Sequence, residues 1–96
     1  MSKTIVKSGS SEAKFTFTTS HSLSRVEGYL LEVHHRYLGD HSYITVVLGD
    51  GENKYTVFNT GSPVLVASIE VVENQLPVYG RFKRGGDRRY HFVPMN

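Results

Sequence analysis

Leu76–Pro94 reads LPVYGRFKRGGDRRYHFVP, and the fold turns on how its two halves pair. Both halves alternate apolar with polar residues and Gly85-Gly86 lies between them, so the segment is predicted as a β-hairpin. A two-residue loop sets Phe82 opposite Arg89, an apolar residue beside a charged one. A three-residue loop, Gly85-Gly86-Asp87, pairs Phe82 with Tyr90 and Gly80 with Phe92 instead. Successive side chains point to opposite faces, so a slip of one residue mixes the two sets, and the three-residue loop is the consistent choice. One face is then Val78, Gly80, Phe82, Tyr90 and Phe92; the other is Tyr79, Arg81, Lys83, Arg89 and His91. Five of the eleven Lys and Arg residues fall between Arg81 and Arg89, opposed only by Asp87. A basic, aromatic front on an apolar back suits an anionic, planar ligand such as nucleic acid. The same pattern also describes an ordinary solvated strand face.

Upstream of the hairpin, Gly61–Asn74 carries two conflicting signals. Ser62 before Pro63 makes a good N-cap and first helical residue, and Leu65, Ile69 and Val72 recur at helical spacing. Five β-branched residues within 64–72 favour a strand. The reading adopted is a short helix near 62–74. Before it, His41–Leu48 alternates with Ile44, Val46 and Leu48 toward the core and Tyr43 and Thr45 outward. The turn Asp50-Gly51-Glu52-Asn53 leads to Lys54–Thr60. A two- or four-residue loop there places Tyr55 and Val57 inside, and Lys54, Thr56 and Phe58 outside, with Tyr43 and Phe58 as close neighbours.

Arg25–Tyr37 is predicted as one long strand with a phase change. Val26, Gly28 and Leu30 share a face, but Leu31 and Val33 carry the apolar pattern on the opposite parity. A bulge produces such a change, and a nearby glycine eases the bend. A strand that bends in mid-course can serve two sheets at once, as small barrels require. The turn Leu38-Gly39-Asp40 follows it. Ala13–Thr19 alternates Phe15 and Phe17 on one face and reads as a short strand, with a turn over 19–24. Residues 1–12 are rich in Ser, Lys and Gly and are expected to be mobile, leaving 13–96 as a single domain.

Net charge is only +2, but its distribution is uneven. Residues 76–96 hold five basic groups against one acid, whereas 49–75 hold Lys54 against Asp50, Glu52, Glu70 and Glu73. Such segregation gives a local positive field on a nearly neutral body. The absence of cysteine excludes disulfides and thiolate metal sites and fits a reducing compartment. No apolar run approaches the ~20 residues that span a bilayer. The opening MSKTIVKSGSSEAK lacks the apolar centre of a signal peptide. The expectation is an intracellular, cytoplasmic protein without a membrane partner, with a viral or plasmid source as open as a cellular one.

The order of elements, a long bent strand, two hairpin strands, a short helix and a second hairpin, resembles the oligonucleotide/oligosaccharide-binding (OB) fold, a five-stranded Greek-key barrel. LPVYGRF looks like the strand that follows the helix in that fold, and Gly28 matches the place where its first strand often bends. The resemblance covers roughly 25–94, is topological, and is nearest to the small single-stranded DNA-binding proteins of the class. The chain departs from them in its extra strand at 13–19 and its lack of tryptophan. The resemblance implies a mainly β, five-stranded OB-like Greek-key barrel with one short helix, to which this chain adds an N-terminal strand. It implies a binding face on the middle strands, with Tyr43 and Phe58 as stacking platforms and Lys54, Arg81, Lys83 and Arg89 as phosphate contacts. Arg36 and Tyr37 then stand at the first loop, and Arg84 and Arg88 flank the last. Tyr79 joins this set or packs under the N-terminal strand. Stacking and phosphate contacts are both tolerant of sequence, so the implied binding is weakly selective, with DNA expected before RNA.

Other chemistries are less well supplied. His34, His35, Asp40 and His41 are the only grouping of metal-ligand types, but adjacent histidines on a strand point to opposite faces, so no metal and no other cofactor is expected. His41, Arg88, Arg89 and His91 could serve a small ribonuclease if an acid–base pair converged. No phosphate loop, nucleophile elbow or zinc-finger spacing is present. A binding protein rather than an enzyme is expected, without a small-molecule substrate. The alternative is a protein-interaction or structural β-domain, such as an assembly or inhibitor protein, which would use the exposed aromatics as hot spots. An apolar edge at Phe15 and Phe17 must be covered, either by capping the barrel or by a second subunit in a homodimer.

Overall fold

The computed structural model describes residues 14–19 and 22–95, so the segment 1–12 lies outside it. The strands are β1 (Lys14–Thr19), β2 (Glu27–Leu38), β3 (His41–Gly49), β4 (Lys54–Thr60), β5 (Val78–Arg84) and β6 (Tyr90–Pro94). One helix, α1 (Pro63–Glu70), and a 3₁₀ turn at Glu73–Gln75 connect β4 to β5. All six strands share one sheet in the order β1-β4-β3-β2-β5-β6, parallel between β1 and β4 and antiparallel elsewhere. The mainly β expectation holds, but the strands form one open six-stranded sheet, with β1 and β6 as its edges.

The sheet curls into a half-barrel. Phe58 on β4 and Phe82 on β5 have ring centroids 5.6 Å apart although β3 and β2 lie between their strands. In a flat sheet three strand spacings would hold them about 14 Å apart. The concave side is the core: Leu30, Ile44, Val46, Leu48, Phe58, Phe82, Tyr90 and Phe92 from the strands, Leu65, Ile69 and Val72 from the helical segment, and Leu23 from the loop before β2. Ser62 precedes Pro63 as expected, and Val66 N–H donates to the Ser62 carbonyl at 2.9 Å, starting α1. Helical spacing outweighed β-branching there because Leu65, Ile69 and Val72 close the open mouth of the curl. Helix α1 packs on β6, where Phe92 N–H donates to Ser68 Oγ at 2.9 Å, which satisfies an edge amide.

The phase change in β2 is a bulge. Leu30 pairs with Leu48 and Glu32 with Val47, so Leu31 is the extra residue. Gly28 lies close to β3, where a Cβ would meet the Gly49 carbonyl oxygen at 2.7 Å. Only glycine fits that approach.

Two turns differ from expectation, with unequal consequences. Between β3 and β4, Asp50 N–H donates to the Lys54 carbonyl at 3.1 Å, leaving the three residues Gly51-Glu52-Asn53 as the loop. The Asp50 carboxylate accepts the Glu52 amide at 2.8 Å and the Lys54 amide at 3.3 Å, and Gly51 takes φ +87°. An odd loop in place of an even one inverts the parity of β4. Phe58 is therefore core, 2% exposed and paired with Val46, while Tyr55 and Val57 face out. Phe58 and Tyr43 lie on opposite faces. Lys54 and Thr56 share the inward parity of Phe58, with Lys54 exposed at the rim.

Between β5 and β6, Gly85 N–H donates to the Arg89 carbonyl at 2.9 Å and the loop is Gly86-Asp87-Arg88, with Arg88 at φ +66°. Phe82 pairs with Phe92, Arg84 with Tyr90 and Gly80 with Pro94, two positions from the expected register. A slip of two keeps every side chain on its face, so the apolar back and basic front stand. The Phe92 ring leans over Gly80, whose Cβ would fall 2.5 Å from Phe92 Cζ.

Strand β1 neither caps the core nor lacks a partner within its own chain. It pairs with β4, and Phe15 stacks on Tyr55 at 5.0 Å on the convex face. No helix among the described residues is long and apolar enough to cross a membrane.

Candidate nucleic-acid interface

Most of the residues expected to bind lie on or beside the convex face, in two patches at opposite ends of β2. The lower patch is built where β2 pairs with β5. Register sets Tyr29 against Tyr79 and Glu27 against Arg81. The two tyrosine rings meet edge to face at 4.9 Å, with Tyr29 41% exposed and Tyr79 half-buried. Tyr79 thus packs against β2 and not against the N-terminal strand. Lys83 continues this face on β5, opposite His91 on β6. Arg89 is exposed beside the loop, and Asp87, the hairpin's one acid, accepts the Arg89 backbone amide at 3.1 Å. That carboxylate shapes the turn.

Arg84 departs from the basic front. Its parity is that of Phe82 and Tyr90, and its guanidinium carbon lies 5.1 Å from the centre of the Tyr90 ring, a cation–π contact at the rim of the core. Arg25 and Ser24 line the same shallow depression. Arg88 is exposed at the hairpin tip.

The upper patch lies where β2, β3 and β4 run side by side. Arg36 pairs with Tyr43, and Thr45 stands between His34 and Asn59. Arg36 Nε donates to Thr45 Oγ1 at 2.8 Å, and Thr45 Oγ1 donates to Asn59 Oδ1 at 2.7 Å. This relay crosses three strands and forms the floor of a groove of about 410 Å³ whose sides include Tyr43, Val57 and Phe17. Tyr37, 78% exposed near the β2–β3 turn, has the parity of Val33 and His35 and so lies on the other side of the sheet from Arg36 and Tyr43. Nine residues of strand separate Glu27, opposite Arg81, from Arg36, opposite Tyr43, which is roughly 30 Å along β2. Tyr43 therefore does not sit beside Arg81 and Lys83.

Among the described residues the carboxylates with a basic side chain in reach are Glu32, hydrogen-bonded to His34 at 2.7 Å, and Glu73, hydrogen-bonded to His35 at 3.0 Å. Arg36, Lys54, Arg81, Lys83, Arg84, Arg88 and Arg89 have no carboxylate within 4 Å among those residues. The histidines with carboxylate partners bear on the metal question too, since no group of three metal-ligating residues converges among the described residues. His41 stands at the β2–β3 turn, and β2 and β5 separate its strand from that of His91.

The sequence reading missed four contributors to the convex face: Phe17, Tyr55, Asn59 and Tyr29. Phe17 is 75% exposed and lies level with Val57. Tyr55 and Asn59 were displaced by the inverted parity of β4. No protein-family model matches the sequence, no curated protein matches it, and no solved structure matches the fold.

Proposed function

We propose that this domain is an intracellular, non-enzymatic binding module for single-stranded nucleic acid, DNA foremost, with low overall sequence specificity. The observation that carries the reading is the convex sheet face. Exposed or half-buried aromatic rings (Tyr29, Tyr79, Tyr43 and Phe17) share it with cations that have no carboxylate partner, Arg36, Arg81 and Lys83. Rings accept bases at about 1–3 kcal/mol each, without regard to identity. The cations accept phosphates and release counterions. A strand laid along β2 crosses both patches, within the ~4–16 nucleotides that a single small barrel engages. Duplex offers this face only phosphates, because its bases already stack on one another.

The test is fluorescence titration of labelled oligonucleotides at several salt concentrations. Single strands should bind more tightly than duplex of equal length. Arg81→Ala and Lys83→Ala should each weaken binding and reduce the salt slope by about one. Tyr43→Ala or Tyr29→Ala should weaken binding and leave the slope nearly unchanged. Absence of binding to any single strand at low salt would end the proposal. The exposure of Phe17, Leu38 and Val71, at 75, 72 and 76%, favours a second reading, a protein-interaction domain. Its affinity would vary far less with salt.

A further inference from the structure

The turn that leads into β2 carries an arginine where its backbone favours glycine. Val26 N–H donates to the Leu23 carbonyl at 3.1 Å, which makes Arg25 the third residue of a four-residue turn, and its φ is +65°. Glycine or asparagine ordinarily fills a left-handed position of this kind, because a larger side chain crowds the backbone. The turn is held from both sides: Leu23 is fully buried, and the Val26 carbonyl accepts the Phe82 amide of β5 at 3.2 Å. Strain maintained in this way collects at ligand clamps. Arg25 and Arg84 line one shallow depression of about 320 Å³ at the rim of the core, together with Ser24, Phe82 and Tyr90. The Tyr90 ring, 5.1 Å from the Arg84 guanidinium carbon, covers one face of that group, and its N–H edges remain to donate. Neither arginine has a carboxylate within 4 Å or a side-chain hydrogen bond among the described residues, whereas Arg36 donates its Nε–H to Thr45. Glu27 lines an adjoining hollow with Arg25 and Arg81, beyond 4 Å of either.

We infer that Ser24, Arg25 and Arg84 form a binding site for a phosphate monoester, whether it ends a nucleic-acid strand or belongs to a small molecule. Two cations sharing one depression repel each other, and a bound anion turns that repulsion into attraction. A guanidinium fork takes two oxygens of a phosphate group, so two forks and a hydroxyl suit a monoester, with three free oxygens and a charge near −2. A carboxylate, or a phosphodiester inside a strand, offers two free oxygens and a single charge, too few to engage both forks. The site lies at the rim of the core and not on the convex face, so it goes beyond the single-strand reading and does not depend on it.

The experiment titrates methyl phosphate into the full chain at constant ionic strength, followed by amide NMR spectra at a pH well above the ~6 at which a monoester takes its second charge. The amides of Ser24, Arg25 and Arg84 should shift along one saturable curve, and dimethyl phosphate at equal concentrations should not saturate them. Arg84→Gln should weaken binding about tenfold or more, the loss of one charged hydrogen-bonding partner. Arg25→Gly should weaken it as much while Tm is kept or raised, because glycine suits the left-handed φ. If the amides of Arg36 and Arg81 move as far as those of Arg25 and Arg84, the ester is drawn to positive charge in general and the inference is overturned. Saturation by dimethyl phosphate at the same affinity, or binding that survives both substitutions, also overturns it. A strand of ~12 nucleotides, within the range one small barrel engages, is then compared with and without a terminal phosphate at either end. Tighter binding of a phosphorylated strand that disappears in Arg25→Gly assigns the site to strand ends. Equal or absent binding of these strands assigns it to small monoesters.

Discussion

Replacing Phe58 by leucine tests the core apart from the proposed binding face. The ring is 2% exposed and meets Phe82 edge to face at 5.6 Å, 82° between planes. Leucine forfeits that aromatic pair, worth about 0.5–1.5 kcal/mol. It also leaves a void of roughly 25 Å³, which adds about 0.5 kcal/mol at ~24 cal/mol per Å³. The sum is about 1–2 kcal/mol, from a domain whose whole stability is on the order of 5–14 kcal/mol. For a chain of this size that corresponds to a fall in Tm of about 4–16 °C. Tyr43→Leu, on the convex face and half-buried, should change stability by no more than about 0.5 kcal/mol.

Thermal melts followed by circular dichroism, paired with oligonucleotide titration below the transition, distinguish the two residues. Phe58→Leu should melt early and, while folded, bind single strands as well as the parent. Tyr43→Leu should melt with the parent and bind less well. If Phe58→Leu left Tm within ~2 °C of the parent and abolished binding, the side chain would face the ligand. The register of β3 against β4 would then be wrong by one residue.

Two further outcomes follow from the same geometry. Gly80→Ala places a Cβ 2.5 Å from the Val93 carbonyl oxygen, a backbone atom that moves only if β5 and β6 part. It should cost about 1–3 kcal/mol in urea denaturation. Gly86→Ala meets nothing within 4 Å and should stay within ~0.5 kcal/mol of the parent, and equal losses in the two variants would refute the close approach at Gly80. The homodimer is the second. The edge of β1 away from β4 has no strand partner among the described residues, with Phe17 exposed beside it. We propose that two copies join there, so light scattering should give twice the 10.8 kDa chain mass and Phe17→Lys should return it to the single value. A parent chain that stays at the single mass at high concentration rules this out.

What could be read from the sequence depended on whether a feature is local to one strand. Alternation in Ile44, Val46 and Leu48, and in Gly80, Phe82 and Phe92, names the buried side without reference to any neighbour. The switch of apolar parity between Leu30 and Leu31 likewise exposes the bulge, because an extra residue is the only way a strand keeps its greasy side inward after such a switch. Ser62-Pro63 with Leu65, Ile69 and Val72 is a helix written in about two turns. Turn length is different in kind. Gly51-Glu52-Asn53 has a composition that suits loops of two, three or four residues, and the choice rests on the Asp50 carboxylate capturing the amides of Glu52 and Lys54. An error of one there exchanged Phe58 for Tyr55, whereas an error of two in the β5–β6 register exchanged nothing. The greater bulk of Phe58 beside Val57 was the one signal that could have tipped the choice, since a curled sheet with few large residues cannot spare a phenylalanine from its core.

The candidate site was harder to read because its members meet across strands. Phe17 and Val57 are forty residues apart and become neighbours only through the parallel pairing of β1 with β4. That pairing is a property of strand order, which alternation within a strand does not encode. Arg36 and Asn59 are joined through Thr45, which carries no signal of its own: an outward threonine on a β-strand is the commonest of choices. The basic hairpin was legible because five of its nine residues from Arg81 to Arg89 are Lys or Arg. The groove over Arg36, Thr45 and Asn59 was not, because it exists only where β1, β4, β3 and β2 lie side by side.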